Sequence, residues 1–214
     1  MPKTKPFDTY TDDYEKWFVD NPFLFVSELE AIKKVIPENK QGIEIGLGSG
    51  LFASKLGIYE GIEPSEPMRK KAISRNIKVV DSVAENLPYP DQSKDFALMV
   101  TVICFVDSVT ETFKEAYRVL KDEGSLIVAF IDKDSPMGKA YEKNKHKSNF
   151  YKEATFFSTS QVSELLKQQN FTIEKIYQTI YGDVSKITSP QKPLEGYGQG
   201  SFVVIKAQKN RNWK

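Results

Sequence analysis

The chain has 214 residues, 40% hydrophobic and 28% charged, and its 30 Lys and Arg against 29 Asp and Glu leave a formal net charge of +1. That is room for one α/β domain with a full core, without the basic excess by which nucleic-acid binders hold phosphate. A single cysteine (Cys104) and a single histidine (His146) exclude an intrachain disulfide and a Cys/His zinc site.

The first residues, Met1-Pro2-Lys3-Thr4-Lys5-Pro6, lead into no apolar stretch and do not read as a signal peptide. Residues 7–36 have helical periodicity, with Tyr14, Trp17, Phe18, Leu24, Phe25, Leu29, Ile32 and Val35 at helix-like spacings. Asn21-Pro22 splits them into two helices, because proline disfavours the helical conformation in the residue before it. An alternation follows. Gly42–Ile45 is a strand, the glycine-rich 46–50 a turn, and Leu51–Leu56 a helix. Ile58–Ile62 is a second strand, and Pro67–Arg75 a helix with Ser65 as its expected N-cap. Ile77–Val80, Phe96–Thr101 and Ser125–Ile131 are further strands, with a helix over Thr110–Lys121. The run Phe96–Val106, broken only by Thr101, is far short of the ~20 residues of a membrane helix, but apolar enough for a strand buried on both faces.

Residues 132–157 leave the pattern, being polar and rich in Lys and Tyr. Ser158-Thr159-Ser160 then caps a helix over Gln161–Gln169, with Glu164 as the expected reciprocal capping partner. Phe171–Ile180 and Ser201–Ala207 read as the last strands. Alternating strands and helices predict a doubly wound, mostly parallel sheet with helices on both faces, joined by right-handed crossovers. The sequence predicts one domain over 1–214, in a soluble, cytoplasmic protein with no membrane insertion.

Glu44-Ile45-Gly46-Leu47-Gly48-Ser49-Gly50 stands between the first strand and first helix, where glycines let backbone approach a ligand and the helix start offers free N–H groups. Leu51 stands where a dinucleotide fingerprint needs glycine, and no Gly-Lys-Ser/Thr of a phosphate-binding loop is present. Glu63 ends the second strand, where a carboxylate can accept hydrogen bonds from both hydroxyls of a ribose.

With Gly61-Ile62-Glu63-Pro64-Ser65 and Met68, Ala84–Asp91, Asp95–Val100 and Tyr117–Leu126, these residues make the chain resemble class I S-adenosylmethionine-dependent methyltransferases, especially the small-molecule group of ubiquinone/menaquinone-biosynthesis type. The resemblance runs from Tyr14 to Lys209. It implies a Rossmann-like sheet of seven strands with the last antiparallel, S-adenosylmethionine as cofactor and S-adenosylhomocysteine as product. It also implies in-line methyl transfer to a small acceptor, with no metal. By resemblance Gly46, Gly48, Ser49 and Gly50 face the methionine part of the cofactor, with Glu44 nearby, and Glu63 holds the ribose. Pro64 and Met68 pack on the adenine beside Ser65, and Val83, Ala84 and Glu85 border its edge. Thr101 and Val102 lie near the methyl group. Many relatives carry aspartate at the position of Val83, which accepts no hydrogen bond from the adenine amino group, so backbone or Glu85 must serve.

Residues 7–36 and the 132–157 insert are expected to cover the site, the insert forming part of the acceptor pocket. Tyr14 is the expected ligand contact of the first helix, whereas Trp17 and Phe18 read equally well as its packing face. Tyr141 and Tyr151 are open candidates. His146, between Lys145 and Lys147, reads as a surface residue. Asp95 and Arg118 read as structural, and no residue is assigned to catalysis. Two rival readings remain: a nicotinamide-dependent oxidoreductase and a non-catalytic S-adenosylmethionine-binding protein. The sequence names neither the acceptor nor an oligomeric state.

Overall fold

A computed structural model describes residues 3–211. The helical start is three helices, α1 (Lys5–Thr9), α2 (Thr11–Asp20) and α3 (Pro22–Lys33). The break at Asn21-Pro22 falls where proline predicts it, and an additional one falls at Tyr10. The alternating region is β1 (Gly42–Ile45), α4 (Leu51–Leu56), β2 (Glu60–Ile62), α5 (Glu66–Ser74), β3 (Lys78–Val80), β4 (Lys94–Val100), α6 (Val109–Val119) and β5 (Leu120–Ile131). Beyond it come α7 (Pro136–Asn144), α8 (Thr159–Gln168), β6 (Phe171–Tyr181), β7 (Leu194–Glu195) and β8 (Gly200–Lys209).

The strands form one sheet in the order β3-β2-β1-β4-β5-β8-β6-β7. β1 to β5 run parallel, and β8 enters antiparallel between β5 and β6. The sheet has eight strands rather than the expected seven, because the two residues of β7 pair antiparallel with the outer edge of β6. Among the described residues no helix is long and apolar enough to cross a membrane.

Strand alternation sends each side chain to one of two cores. Ile43, Ile45, Ala97, Met99, Leu126, Val128, Val203 and Ile205 face α6 and α8, where they meet Phe113, Ala116, Val162 and Leu166. Phe96, Leu98, Val100, Ile127, Ala129, Phe202 and Val204 face the other way, against Leu24, Leu29 and Ile32 of α3, Phe52 of α4 and Ala72 of α5. Both faces of the central strands are thus dry, as their unbroken apolar runs require.

Two caps differ from expectation. The α8 box is closed by Gln161, whose side chain accepts from the Ser158 N–H at 2.9 Å while the Ser158 hydroxyl accepts from the Gln161 N–H at 3.2 Å. Gln161 wins over Glu164 because the helix starts at Thr159, which puts position 161, not 164, one turn above the cap. Ser65 precedes α5 but makes no side-chain cap bond. Asp95 and Arg118 are structural, as read. Asp95 accepts from the Gln41 N–H (2.9 Å) and pairs with Lys121, and Arg118 donates to the carbonyls of Leu87 and Tyr89.

The 132–157 insert leaves the sheet at the end of β5 and returns to the start of α8, and its two ends are pinned together. The Lys133 N–H donates to the Phe157 carbonyl at 3.0 Å. Buried Asp132 accepts from the Asp134 N–H at 2.8 Å with one oxygen and from the Thr159 hydroxyl at 2.5 Å with the other. Asp132→Ala should leave those donors unsatisfied and cost about 1–3 kcal/mol. Urea denaturation should show the loss and hydrogen exchange should quicken across 136–157; unchanged stability and exchange would mean the insert is held elsewhere.

Candidate functional site

Five parallel strands deliver five chain segments to one edge of the sheet, and the order reverses between β1 and β4. Open α/β sheets form their binding crevice at such a reversal. Here it holds a cavity of about 240 Å3, walled by the turn after β1 (Gly46, Gly48), the end of β2 (Ile62, Glu63, Pro64), Met68 of α5, and Val83, Ala84 and Glu85 after β3. Thr101, Val102, Phe105 and Val106 follow β4, and Ile131 ends β5. The cover comes from Phe7, Tyr14, Trp17, Phe18 and Glu28 of the N-terminal helices and from Met137, Tyr141, Phe150 and Tyr151 of the insert.

Glu63 organises the first side. One carboxylate oxygen accepts the Gly48 N–H and the other the Ser65 N–H, each at 2.8 Å. The carboxyl is 7% exposed, and burial outweighs those two bonds and the charge of Arg69, raising its pKa to about 7. Gly46 and Gly48 have φ of +66° and +56°, conformations that side-chain-bearing residues rarely adopt. A Cβ on Gly46 would come within 2.8 Å of Val102, and one on Gly48 would stand 3.5 Å from the Tyr14 hydroxyl. Thr101, a β-branched residue at φ +55°, makes the sharp turn that carries Val102 onto Gly46. Such strain persists only where surroundings enforce it; the Thr101 N–H donates to the Ala129 carbonyl at 2.7 Å, and the thiol of Cys104 bonds the Thr101 carbonyl.

Aromatic rings close the cavity from above. Phe7 of α1 meets Phe105 at 4.9 Å and Phe150 at 5.6 Å between ring centres, and Tyr151 stacks on Tyr141 (4.8 Å) and Phe105 (5.9 Å). The cover is therefore sewn together by rings from three parts of the chain far apart in sequence. Phe18 does both jobs weighed for it, packing on Phe25 and Phe52 while lining the cavity, and Trp17 reaches the cavity with much of its ring exposed.

A Thermotoga maritima protein, whose crystal structure is described as that of a "SAM-dependent methyltransferase, possible histamine N-methyltransferase", superposes with a TM-score of 0.94 at 46% identity, covering 97% of this chain and 100% of that one. Residues 43–128 match the family described as "Methyltransferase domain". The chain belongs to the S-adenosylmethionine-dependent methyltransferases. An uncharacterized protein of Methanocaldococcus jannaschii is 43% identical to this methyltransferase over 203 residues, 95% of this chain and 98% of that one. The ubiquinone/menaquinone biosynthesis C-methyltransferase UbiE of Rickettsia akari is 27% identical over 171 residues, covering 71% and 65% of the two chains. The cofactor of this enzyme is S-adenosylmethionine, which replaces the nicotinamide reading.

The residues present fit that cofactor. The two left-handed glycines leave a cradle that side chains would fill, beside a buried carboxylate and the half-open apolar slot of Pro64, Met68 and Val83. Of the residues inferred from the resemblance, Gly46, Gly48, Glu63, Pro64, Met68, Val83, Ala84, Glu85, Thr101, Val102 and Tyr14 line the cavity. Glu44, Ser49, Gly50 and Ser65 do not; they stand behind the wall. Glu44 is 2% exposed with one oxygen unbonded, its pKa pushed well up by burial, and the Ser65 hydroxyl is likewise buried without a partner. The Glu85 carboxylate accepts the N–H groups of Asp107 (2.7 Å) and Ser108 (3.0 Å), so it braces the loop after β4. His146 is exposed and off the cavity.

Glu28 escaped the sequence reading. It lies on the buried stripe of α3 with Leu24 four residues before it and Ile32 four after, so the one signal was a carboxylate at an apolar position. It is 5% exposed and makes no hydrogen bond or ion pair among the described residues, and burial raises its pKa to about 8. A carboxyl whose folded pKa lies above its unfolded value keeps its proton longer in the folded state, so stability is fully present below about pH 4.5 and is lost as pH rises towards the folded pKa. Glu28→Gln removes this term. Without ligand, its gain relative to wild type should grow with pH from about 5 and reach on the order of 5 kcal/mol by about pH 8.5. Urea denaturation across that window checks this; a gap that does not change with pH would mean that Glu28 ionises normally in the folded chain.

Proposed function

We propose that this methyltransferase transfers the methyl group to a small-molecule acceptor by in-line displacement inside the covered cavity. One observation carries the reading: the glycine turn and Glu63 line the same partly open cavity as the aromatic side chains of the cover and insert. A bound cofactor supplies a sulfonium methyl group with its leaving group already activated by positive charge. The chain's residues then have to bind, align and keep water out.

Each oxygen of Glu63 spends one acceptor site on a backbone N–H and keeps another. The pair of free sites suits the two hydroxyls of a ribose. Met68 and Pro64 make one face of an apolar slot for adenine, and Val83 and Ala84 its edge, with backbone or the second Glu85 oxygen rather than Val83 left to bond the adenine amino group. Gly46 and Gly48 admit the methionine part against bare backbone. Thr101 and Val102 border the methyl position, and Tyr14, stacked edge-on against Phe18 and close to Gly48, separates the cofactor end from the acceptor end. A cover of packed rings suits a compact acceptor and excludes the water that would compete for an activated methyl group.

Glu63→Ala should weaken S-adenosylhomocysteine binding by about 1.5–3 kcal/mol, from the loss of charge-assisted hydrogen bonds and the loosening of the Gly48 turn. Calorimetry measures it, with melting to confirm folding; unaltered affinity in a folded variant would take Glu63 out of the site. Incubation with methyl-labelled cofactor should place the label in a low-molecular-weight acceptor, with histamine tried first because of the description attached to the Thermotoga relative. Label transferred instead to tRNA or DNA, with salt-sensitive binding that neutralising Lys143, Lys145 and Lys147 removes, would overturn the small-molecule reading.

A further inference from the structure

We propose that Glu28 and the tyrosines around it form a binding site for a cationic amine, and that the methyl acceptor is the nitrogen of that amine. The inference rests on the methyl-transfer reading above and names its acceptor class.

Glu28 reaches the cavity from α3, and Ile131, Met137 and Tyr141 line the same cavity. Its carboxylate has no partner among the described residues, and a buried charge without one is costly. The carboxyl therefore keeps its proton while the cavity is empty, and a cation brought by a ligand is what would let it ionise. Among the described residues the charged side chains lining the cavity are Asp13, Glu28, Glu63 and Glu85 against the single cation Lys3, which makes no ion pair with Glu28. This balance repels phosphate and carboxylate acceptors and attracts ammonium.

The groups whose ionisation feels the Glu28 charge are Tyr14 from α2, Tyr141 from α7 and Tyr151 from the segment after it, and all three phenols are pushed above their ordinary pKa by burial, Tyr141 to about 12. They stay neutral and offer ring faces, to which ammonium is attracted. Tyr14 also feels Glu44 and Glu63, and its hydroxyl stands near Gly48. The α3 register that aims Glu28 inward is fixed from outside, where the Ser27 hydroxyl accepts the Gln191 N–H at 2.8 Å and donates to the Phe23 carbonyl.

Glu28 would then serve as acceptor anchor and proton acceptor. The bound ammonium passes one proton to the Glu28 carboxylate, which frees the nitrogen lone pair. That pair forms the N–C bond to the sulfonium methyl as the C–S pair goes to sulfur. The methylated nitrogen leaves carrying the positive charge, and the proton on Glu28 passes to water.

The test uses the full chain saturated with S-adenosylhomocysteine. Calorimetry at about pH 6.5 compares phenethylamine and histamine with phenethyl alcohol and 3-phenylpropanoate as neutral and anionic counterparts. At least one amine should bind about tenfold tighter than the alcohol, and buffers of different ionisation enthalpy should reveal close to one proton released as Glu28 ionises. In Glu28→Gln that preference and the proton release should disappear while S-adenosylhomocysteine affinity stays within about twofold. Glu28→Asp should keep part of the preference, a difference that packing alone would not produce. An equal loss of S-adenosylhomocysteine affinity in Glu28→Gln would assign Glu28 to the cofactor's own ammonium and overturn the proposal. Equal binding of alcohol, carboxylate and amine, or no binding of either amine, would overturn it too. Failure of the wild-type chain to bind S-adenosylhomocysteine would instead overturn the function proposed above.

Discussion

The bridge made by the Glu63 carboxylate between the N–H groups of Gly48 and Ser65 is the interaction on which the site depends. It couples the turn after β1 to the turn after β2, and so fixes the distance between the glycine cradle and the foot of α5. The Leu47 N–H bonds the Ile62 carbonyl at 3.0 Å and extends the parallel ladder into the turn, so the cradle inherits the rigidity of the sheet. Burying a carboxylate here is costly, as its raised pKa shows. Two backbone donors offset part of that cost. What they leave unsatisfied is acceptor capacity facing the cavity, which makes the same group both a structural tie and a recognition element.

From that tie the rest of the wall follows by parallel topology. Because β1 to β5 point the same way, every segment that leaves their far ends arrives at one edge. The left-handed turn at Thr101 then brings Val102 onto Gly46 and joins the β4 side to the β1 side. The cover obeys a different rule. It is held by ring contacts among Phe7, Phe105, Phe150 and Tyr151 and by the ion pairs of Asp12 and Glu15 in α2 with Lys71 of α5 and Arg75 at its end. Such ring contacts are individually worth about 0.5–1.5 kcal/mol beyond area burial. Within this dry enclosure charges act over longer range than in water, which gives the acidic balance of the wall its leverage on what enters.

The reading of the chain succeeded where local chemistry decides the outcome. β1 and α4 occupy the residues that alternation and the glycine turn predicted, and the helix break falls at Asn21-Pro22. Where a partner distant in sequence decides, folding adds what local chemistry does not carry. Glu85 lines the cavity, and one of its carboxylate oxygens accepts the N–H groups of both Asp107 and Ser108, more than twenty residues away. Glu44 belongs to the glycine motif yet faces inward beneath α4, because β1 alternation sends it to the side opposite Ile43 and Ile45. The insert looked aperiodic and solvated, and its lysines largely are; its Met137, Tyr141, Phe150 and Tyr151 nevertheless point into the cavity, and Asp132 closes its base.

The sequence by itself determined the parallel α/β order, the position of the binding edge and the family, because strand period, glycine turns and the Glu63 position act over a few residues. Tertiary structure alone decided which polar groups remain free. A carboxylate's role depends on whether folding hands it a donor. Folding gives donors to Glu63 and Glu85, whereas Glu28 receives none among the described residues and faces the cavity bare. Nothing local to α3 distinguishes that carboxylate from one on a solvated face except its place on an apolar stripe, and only the packing of α3 against the sheet and the insert turns that place into a site.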